Sequence, residues 1–390
     1  MLKKLLSLYI LVTIQVAAAE DLRYLVSLKV QETYESFIRY DKTYPLSQHI
    51  NPLIDHAYSI GKYSGFSGNF TEQALERLQR CPLVAEITPD ITVEAFETTI
   101  QNSSPRHLAR LSQEDNLESE TFSYCFNNDT QSPVLAYVID SGININHPEF
   151  GGRAERGADF TGEGSGDYNG HGTHVAGLIG SNTYGVSKNV RLVEVKALNK
   201  YGAGSLSTII SAIEFAVNHR SEAGLPGVAN LSLGAMRSGA LNRAVTAALE
   251  TGLVVVVAAG NSNSNACMTS PASSRGAITV GSIDDCDDSL TPFTNWGECV
   301  DLFASGLNVQ SVHYDSESDF QTLSGTSMSS PIVAGQVSVL LSEGVPPGNI
   351  LKTLKDMSTK NKIPKSSIVF RFRSPNRIVY NGMEGECDNL

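Results

Sequence analysis

The sequence predicts an α/β fold with a mostly parallel central sheet, preceded by a smaller α+β unit. From Val134 onward, short runs rich in Val, Ile and Ala alternate with longer helix-like segments. Strands that return in the same direction need such crossovers. A length of 390 residues, 41% of them apolar, supplies surface for a large buried core and argues against disorder. Residues 20–98 instead mix short alternating strands with helical stretches, and a polar segment rich in Ser, Gln, Asn and Glu (99–121) follows them.

The elements can be justified in order. Residues 1–19 read as a secretory signal: Lys3 and Lys4 form a basic start, Leu5 to Val16 an apolar run, and Ala17-Ala18-Ala19 a small-residue cleavage site. The run is too short for a comfortable membrane-spanning helix. Tyr24–Val30 alternates like a strand, a polar helix-compatible stretch follows, and Ser64–Phe70 reads as a second strand. Thr71 opens a helix, with Glu72 in its first turn and Leu75 and Leu78 on one face. Val84–Ile87 and Ile91–Phe96 complete the strand signals of this unit. The polar stretch 99–121 reads as a linker and processing region. Residues 122–390 form the larger domain. Its strands are expected at Val134–Ile139, Val190–Ala197, Val228–Leu233, Leu253–Ala259 and Ala277–Val280. Helices are expected at Thr173–Gly180, Ser205–His219, Ala240–Thr251 and Ile332–Leu341.

A net charge of -12 argues against a nucleic-acid partner. The six cysteines, Cys81, Cys125, Cys267, Cys286, Cys299 and Cys387, form no CxxC pair. In a secreted chain they read as disulfide formers. Asn69-Phe-Thr71, Asn102-Ser-Ser104 and Asn128-Asp-Thr130 are candidate glycosylation sites. Asn230-Leu-Ser232 has the same pattern but lies in an apolar stretch.

In parallel sheets, sites form beyond the carboxyl ends of the strands. Asp140 directly follows the strand-like run 134–139, and Asn261 follows the run 253–259 and Gly260. His171 stands between Gly170 and Gly172, which permit close backbone approach. Ser327, in Gly325-Thr-Ser-Met-Ser-Ser-Pro331, precedes an apolar helix, where free N–H groups and the helix dipole favour an anion. Each has a bland reading: a turn Asp, a turn Asn, a structural His, a loop Ser. Together they supply an acid, a base, an amide donor and a nucleophile. The spacing His171-x-x-His174 also raises a zinc hydrolase, but no HExxH glutamate or third ligand accompanies it.

The segments Val138-Ile-Asp-Ser-Gly142, Asn169-Gly-His-Gly-Thr-His174, Ala258-Ala-Gly-Asn261 and Gly325–Pro331 resemble the subtilisin-like serine proteases, peptidase family S8. His147-Pro-Glu-Phe150, Asn230-Leu-Ser-Leu-Gly234 and Ser270-Pro-Ala-Ser273 are similar to the proteinase K branch. Leu108–Ser112, Tyr184-Gly-Val186, Asn295-Trp-Gly297 and Tyr380-Asn-Gly382 resemble cerevisin-like vacuolar subtilases of yeast. Pro105–Arg110 and Ser330–Val333 are similar to a divergent yeast branch associated with spore-wall formation.

The resemblance implies a three-layer subtilisin-like fold and a ferredoxin-like inhibitory propeptide at 20–98. It implies Ser327 as nucleophile, His171 as base, Asp140 as its orienting acid, and Asn261 with the Ser327 N–H as oxyanion hole. Gly202-Ala203-Gly204 and Ser232-Leu233-Gly234 would be the two substrate edges, with Leu206 bordering a more distant subsite. Ala235, where relatives often carry glycine, is expected to narrow the pocket before the scissile bond. A Cys267–Cys299 disulfide is implied by the cerevisin-like chains. Proteinase K suggests a structural calcium on the Arg275 and Ala277 carbonyls and the Asp301 carboxylate; no cofactor is required for the reaction. Departures from the family pattern fall at Arg106-His107, Val175, Ala304-Ser305-Gly306, Ser329-Ser330 and Ile332.

The expected protein is a monomeric serine endopeptidase of the secretory pathway, made as an auto-inhibited zymogen. It would act on peptides or proteins in the vacuole, outside the cell or in the spore wall, without stable membrane insertion. The contrasting expectation is a weak or inactive subtilase-fold scaffold of the cell or spore wall.

Overall fold

The computed structural model describes residues 23–90, 98–117, 122–127 and 132–383. The secretory signal at 1–19, the strand expected at Ile91–Phe96, Asn128 and Cys387 lie outside the described residues. The chain divides into two units, with the boundary after Ala95.

The first unit runs β1 (Arg23–Leu28), α1 (Tyr34–Asp41), β2 (Ile54–Ile60), β3 (Tyr63–Asn69), α2 (Glu72–Gln79) and β4 (Val84–Pro89). The strands lie in the order β2-β3-β1-β4, all neighbours antiparallel, which is the ferredoxin-like arrangement. Thr71 caps α2 by accepting from the Ala74 N–H at 3.3 Å. Ala74 and Leu78 are buried beneath it. The core gathers on Val26, Phe37 and Phe66, with the two phenyl rings 4.5 Å apart. Strand β2 was not legible in the sequence because it lies at an edge and most of its residues are exposed, which leaves no apolar alternation to read.

The second unit opens with β5 (Thr98–Asn102), α3 (Arg106–Leu111) and β6 (Ser123–Asn127), and β5 pairs with β6. A linker was expected over 99–121. Its described residues are instead folded: His107 to Leu111 are all buried. Part of the segment's polarity is paired inside the protein, at His107 and Arg110, while Asn102, Ser103, Glu114, Asp115 and Asn116 are exposed. Arg110 is 1% exposed and grips Asp288, Nε to Oδ1 at 2.7 Å and Nη2 to Oδ2 at 3.0 Å.

The remaining strands and helices are β7 (Leu135–Asp140), β8 (Ala154–Asp159), α4 (His171–Gly180), β9 (Arg191–Lys196), α5 (Leu206–Ala223), β10 (Gly227–Leu231), β11 (Ala235–Met236), α6 (Gly239–Glu250), β12 (Val254–Ala258), β13 (Thr269–Ser270), β14 (Ile278–Asp284), β15 (Ser289–Leu290), β16 (Leu302–Ser305), β17 (Val309–Val312), β18 (Phe320–Leu323), α7 (Thr326–Ser342), α8 (Ile350–Met357), β19 (Thr359–Lys360), α9 (Lys365–Ile368) and β20 (Arg377–Ile378). The main sheet has the order β19-β20-β16-β14-β12-β10-β7-β9-β8. From β20 to β8 its neighbours are parallel.

Helices cover both faces, so the central strands β7, β10 and β12 are buried on both sides rather than one-sided. Ala136 and Val138 of β7 and Val254 and Val256 of β12 join α4 and α7 in one core. The alternate residues, Leu135, Tyr137, Ile139, Val255 and Val257, join α5 and α6 in the other. Ser205 caps α5 through the Thr208 N–H at 3.1 Å, and Gly224 ends it at φ +64°. The helix expected from Ile332 begins earlier, at Thr326, and contains Pro331. Among the described residues, no helix is long and apolar enough to cross a membrane.

Candidate active site

Neighbouring strands β12, β10 and β7 end side by side. Their carboxyl ends carry Asn261, Ser232–Gly234 and Asp140. His171 is the first residue of α4 and Ser327 the second of α7. Two helix N-termini therefore face three strand ends.

Asp140 is fully buried. Its Oδ1 lies 2.7 Å from His171 Nδ1 and accepts the Ser141 N–H at 2.7 Å. This fixes the tautomer, with Nδ1 protonated and Nε2 free to act as a base. Burial opposes charge on the ring most strongly. The Asp140 charge and hydrogen bond, with Asp167 behind them, outweigh it and raise the His171 pKa.

Asp167 was missed in the sequence. Its Oδ1 accepts from Ser141 Oγ at 2.9 Å and from the Asn169 and Gly170 N–H groups at 3.0 and 2.9 Å. Its Oδ2 accepts from Thr173 N and Oγ1 at 2.9 and 2.7 Å. One carboxylate thus caps the start of α4 and ties it to the residue beside Asp140. An Asp shortly before a helix start was the available signal. Gly170 has φ +97°, and a Cβ there would meet the Tyr314 ring at 2.7 Å, so glycine is required.

Behind this loop lie Lys196, fully buried, and Glu194, 2% exposed. Lys196 Nζ donates to Ser141 O at 2.7 Å and Gly166 O at 3.2 Å. Glu194 Oε1 accepts from the Ile143 and Gly166 N–H groups at 2.9 and 2.8 Å. Two charged residues on one face of an otherwise apolar strand were the sequence signal for this support.

The Ser327 hydroxyl donates to Ser232 O at 3.3 Å rather than to the imidazole. Asn261 Oδ1 accepts from Thr326 N and Oγ1 at 2.8 and 2.9 Å. That orients its amide, leaving Nδ2 as a donor. Gly325 keeps the adjacent space open: a Cβ there would lie 3.1 Å from Asn261 Nδ2 and 3.7 Å from Ser327 N. No side chain caps α7 at Gly325. Two N–H donors thus converge where an oxyanion could sit. Pro331 has no N–H to bond the Ser327 carbonyl four residues back. Ser232 Oγ bonds that carbonyl instead, at 2.9 Å.

Gly202, Ala203, Gly204 and Leu206 line a cavity of about 530 Å³, opposite Ser232, Leu233 and Gly234. A second, of about 460 Å³, runs from Ser232–Met236 to Asn261 and Ser327. Ala235 lines both.

The family departures have local explanations. Ser329 Oγ donates to the carbonyls of Ala304 and Ser305, 3.1 Å each, so two departures meet in one contact. His107 Nε2 bonds Tyr184 O at 2.9 Å, and Ile332 is core.

His174 takes a structural place rather than that of a zinc ligand beside His171. His174 is buried, and its Nε2 is taken by the carbonyls of Val309 and Gln321 at 3.2 and 3.0 Å. Burial, with His171 nearby, pushes its pKa down to about 3. Among the described residues, the one group of three close enough to share a metal ion is Asp284, Asp285 and Cys286, which excludes both histidines.

The calcium set at Arg275, Ala277 and Asp301 does not fit either. Asp301 Oδ1 is ion-paired with Lys355 Nζ at 2.7 Å, and Oδ2 accepts the Thr279 N–H at 3.0 Å. An ammonium occupies the carboxylate that would supply the ligand charge.

Cys267 and Cys299 form a disulfide, with Cα atoms 5.3 Å apart. Cys125 is also disulfide-bonded, while Cys81 and Cys286 are free thiols. Asn69 and Asn102 are exposed, and Asn230 is 1% exposed, with its Nδ2 bonded to Ser232 Oγ.

This chain is a subtilisin-like serine protease. It belongs to the subtilase family, Peptidase S8, which residues 132–366 match, and residues 9–96 match the peptidase inhibitor I9 family. Among its relatives, subtilase-type proteinase RRT12 of Saccharomyces cerevisiae is 40% identical, over 96% of this chain and 85% of that one. Cerevisin of the same yeast is 42% identical, over 82% of this chain and 53% of its own length. The crystal structure of a cold-adapted subtilisin-like serine proteinase matches with a TM-score of 0.66 at 41% identity, covering 72% of this chain and 98% of that one.

Proposed function

We propose that the protein is a secretory-pathway serine endopeptidase that cuts peptide bonds through an acyl-enzyme on Ser327. The observations that carry this reading are the hydrogen-bonded Asp140–His171 pair at the end of β7 and, across Ser232, Ser327 at the start of α7 with Asn261 beside it. After a turn about the Ser327 Cα–Cβ bond, Oγ attacks the scissile carbonyl carbon and its proton passes to His171 Nε2. Such hydrogen bonds are often loose before substrate arrives. Asp140 stabilises the imidazolium through Nδ1–H. The oxyanion takes hydrogen bonds from Asn261 Nδ2 and the Ser327 N–H. The C–N bond then breaks, and His171 returns the proton to the leaving amine. Water attacks the acyl-enzyme in the same way and restores the Ser327 hydroxyl.

The peptide would lie extended between Gly202–Gly204 and Ser232–Gly234, added as a strand. Leu206 borders the more distant subsite. No metal is needed for these steps, and the Lys355–Asp301 pair supports stability without structural calcium. The inhibitor-like unit, residues 20–98, would hold the enzyme inactive until cleavage between about Ile91 and Pro105. Asn69 and Asn102, being exposed, suit glycosylation; Asn128 carries the same acceptor pattern. The secretory signal supports entry to the secretory pathway, with the vacuole, cell exterior or spore wall as destination, and the protein would act as a monomer.

Ser327→Ala should abolish covalent labelling by a fluorophosphonate probe while the chain still folds. Persistent labelling of that variant would remove Ser327 as nucleophile. N-terminal sequencing of the labelled wild-type band locates the processing site.

A further inference from the structure

The loop that carries Asn261 has little in its own sequence to hold it still. Residues 260–264 read Gly-Asn-Ser-Asn-Ser, and Asn261, Ser262 and Asn263 are all exposed. An oxyanion donor must nevertheless be held to a fraction of an ångström.

One buried side chain supplies the restraint. Asn295 is fully buried, far from this loop in sequence. Its Oδ1 accepts from the Ser262 and Ser264 N–H groups at 3.0 Å each and from Ser264 Oγ at 3.2 Å. Its Nδ2 donates to Ala259 O at 2.8 Å. Its backbone N–H donates to Gly260 O at 2.9 Å. The loop lies directly on the amide: a Cβ on Gly260, at φ +102°, would fall 2.4 Å from Asn295 Nδ2. Asn295 therefore bonds the chain on both sides of Asn261. Thr326 then fixes the Asn261 rotamer from the other direction.

We propose that Asn295 is a positioning residue for the oxyanion hole, presetting the Asn261 donor before substrate arrives. The inference rests on the reading of Asn261 as that donor. The residue type follows from the contacts. The site needs an acceptor for two N–H groups and a hydroxyl, and a donor for a carbonyl, from one neutral side chain. A carboxylate would set a negative charge against Ala259 O. A leucine would leave the Ser262 and Ser264 N–H groups without this acceptor and Ala259 O with only the longer Thr269 Oγ1 bond of 3.4 Å.

The test is a double-mutant cycle on the mature enzyme, using Asn261→Ala, Asn295→Ala and the two together. Active sites are counted with a fluorophosphonate, so that kcat and KM are read per functional site and a lower folded fraction does not intrude. Asn261→Ala should lose roughly 10²–10³-fold in kcat. Asn295→Ala should lose about tenfold or more in kcat with KM nearly unchanged. A peptide aldehyde inhibitor, whose adduct resembles the tetrahedral intermediate, should weaken in parallel. In the Asn261→Ala background, Asn295→Ala should cost less than about twofold, because the donor it positions is gone. Asn295→Ser, which keeps a hydroxyl, should fall between wild type and Asn295→Ala, and it preserves the test if the alanine variant folds too poorly to titrate. Unchanged kcat per titrated site with only thermal stability lowered would reduce Asn295 to a structural residue. Losses that multiply in the double variant would also overturn the proposal. A near-silent Asn261→Ala would instead remove the donor assignment itself, and the inference with it.

Discussion

Replacing His107 with glutamine should remove about 3 kcal/mol of the stability this protein loses on acidification. His107 lies buried in α3, with Nε2 bonded to Tyr184 O. Burial, aided by the Lys188 charge, pushes its pKa from 6.5 down to about 4. Above pH 6.5 the ring is neutral in both the folded and unfolded chains. As pH falls from 6.5 to about 4, only the unfolded chain takes up the proton, so stability falls with pH through that window. At about 1.4 kcal/mol per pH unit, the full window is worth about 3 kcal/mol. Glutamine can still donate to Tyr184 O and does not titrate. The assay is urea unfolding of the Ser327→Ala chain, which cannot digest itself, with and without His107→Gln, at about pH 7.5 and about pH 4. With m near 3 kcal/mol per molar, the gap between the two midpoints should change by about 1 M. His171, His174 and Asp285 titrate in both chains and cancel in the comparison. Parallel pH profiles for the two chains would refute the reasoning.

Two other predictions concern ion pairs. Arg110→Met leaves Asp288 as a buried, unpaired carboxylate and should cost roughly 3–5 kcal/mol. At about 2–4 °C per kcal/mol, calorimetry should show a fall of roughly 6–20 °C, mostly recovered by adding Asp288→Asn. Because Lys355 neutralises Asp301, a chelator should leave both Tm and activity unchanged; a fall in Tm reversed by calcium would contradict this.

Five strands of the sheet, β7, β9, β10, β12 and β14, were legible because they are buried and read as apolar runs. Strands β8, β16, β19 and β20 were not read, β8 being polar and mostly half-buried. Asp140, Asn261, His171 and Ser327 stood out for a related reason: each follows an apolar strand or opens a helix, so local sequence marks the edge of the site. Of the supporting residues, Asp167, Glu194 and Lys196 left local signals, before a helix start and within an apolar strand, whereas Asn295 left none. Asn295 sits in a polar turn whose partners lie around Asn261, and its role exists only after folding. Arg110 and His107 looked like solvated linker because composition records polarity but not pairing. The calcium expectation at Asp301 took no account of a countercharge for the same reason. Its countercharge, Lys355, comes from α8, which sequence distance conceals.

Proline at 331 has a mechanical consequence. By withholding one N–H, it releases the backbone oxygen of Ser327 from the helix ladder, and the Ser232 hydroxyl takes it. The rail along which a peptide would dock is thereby pinned to the backbone of the residue that would attack it. A shove on the rail reaches the nucleophile through a single joint, with no lever arm between them.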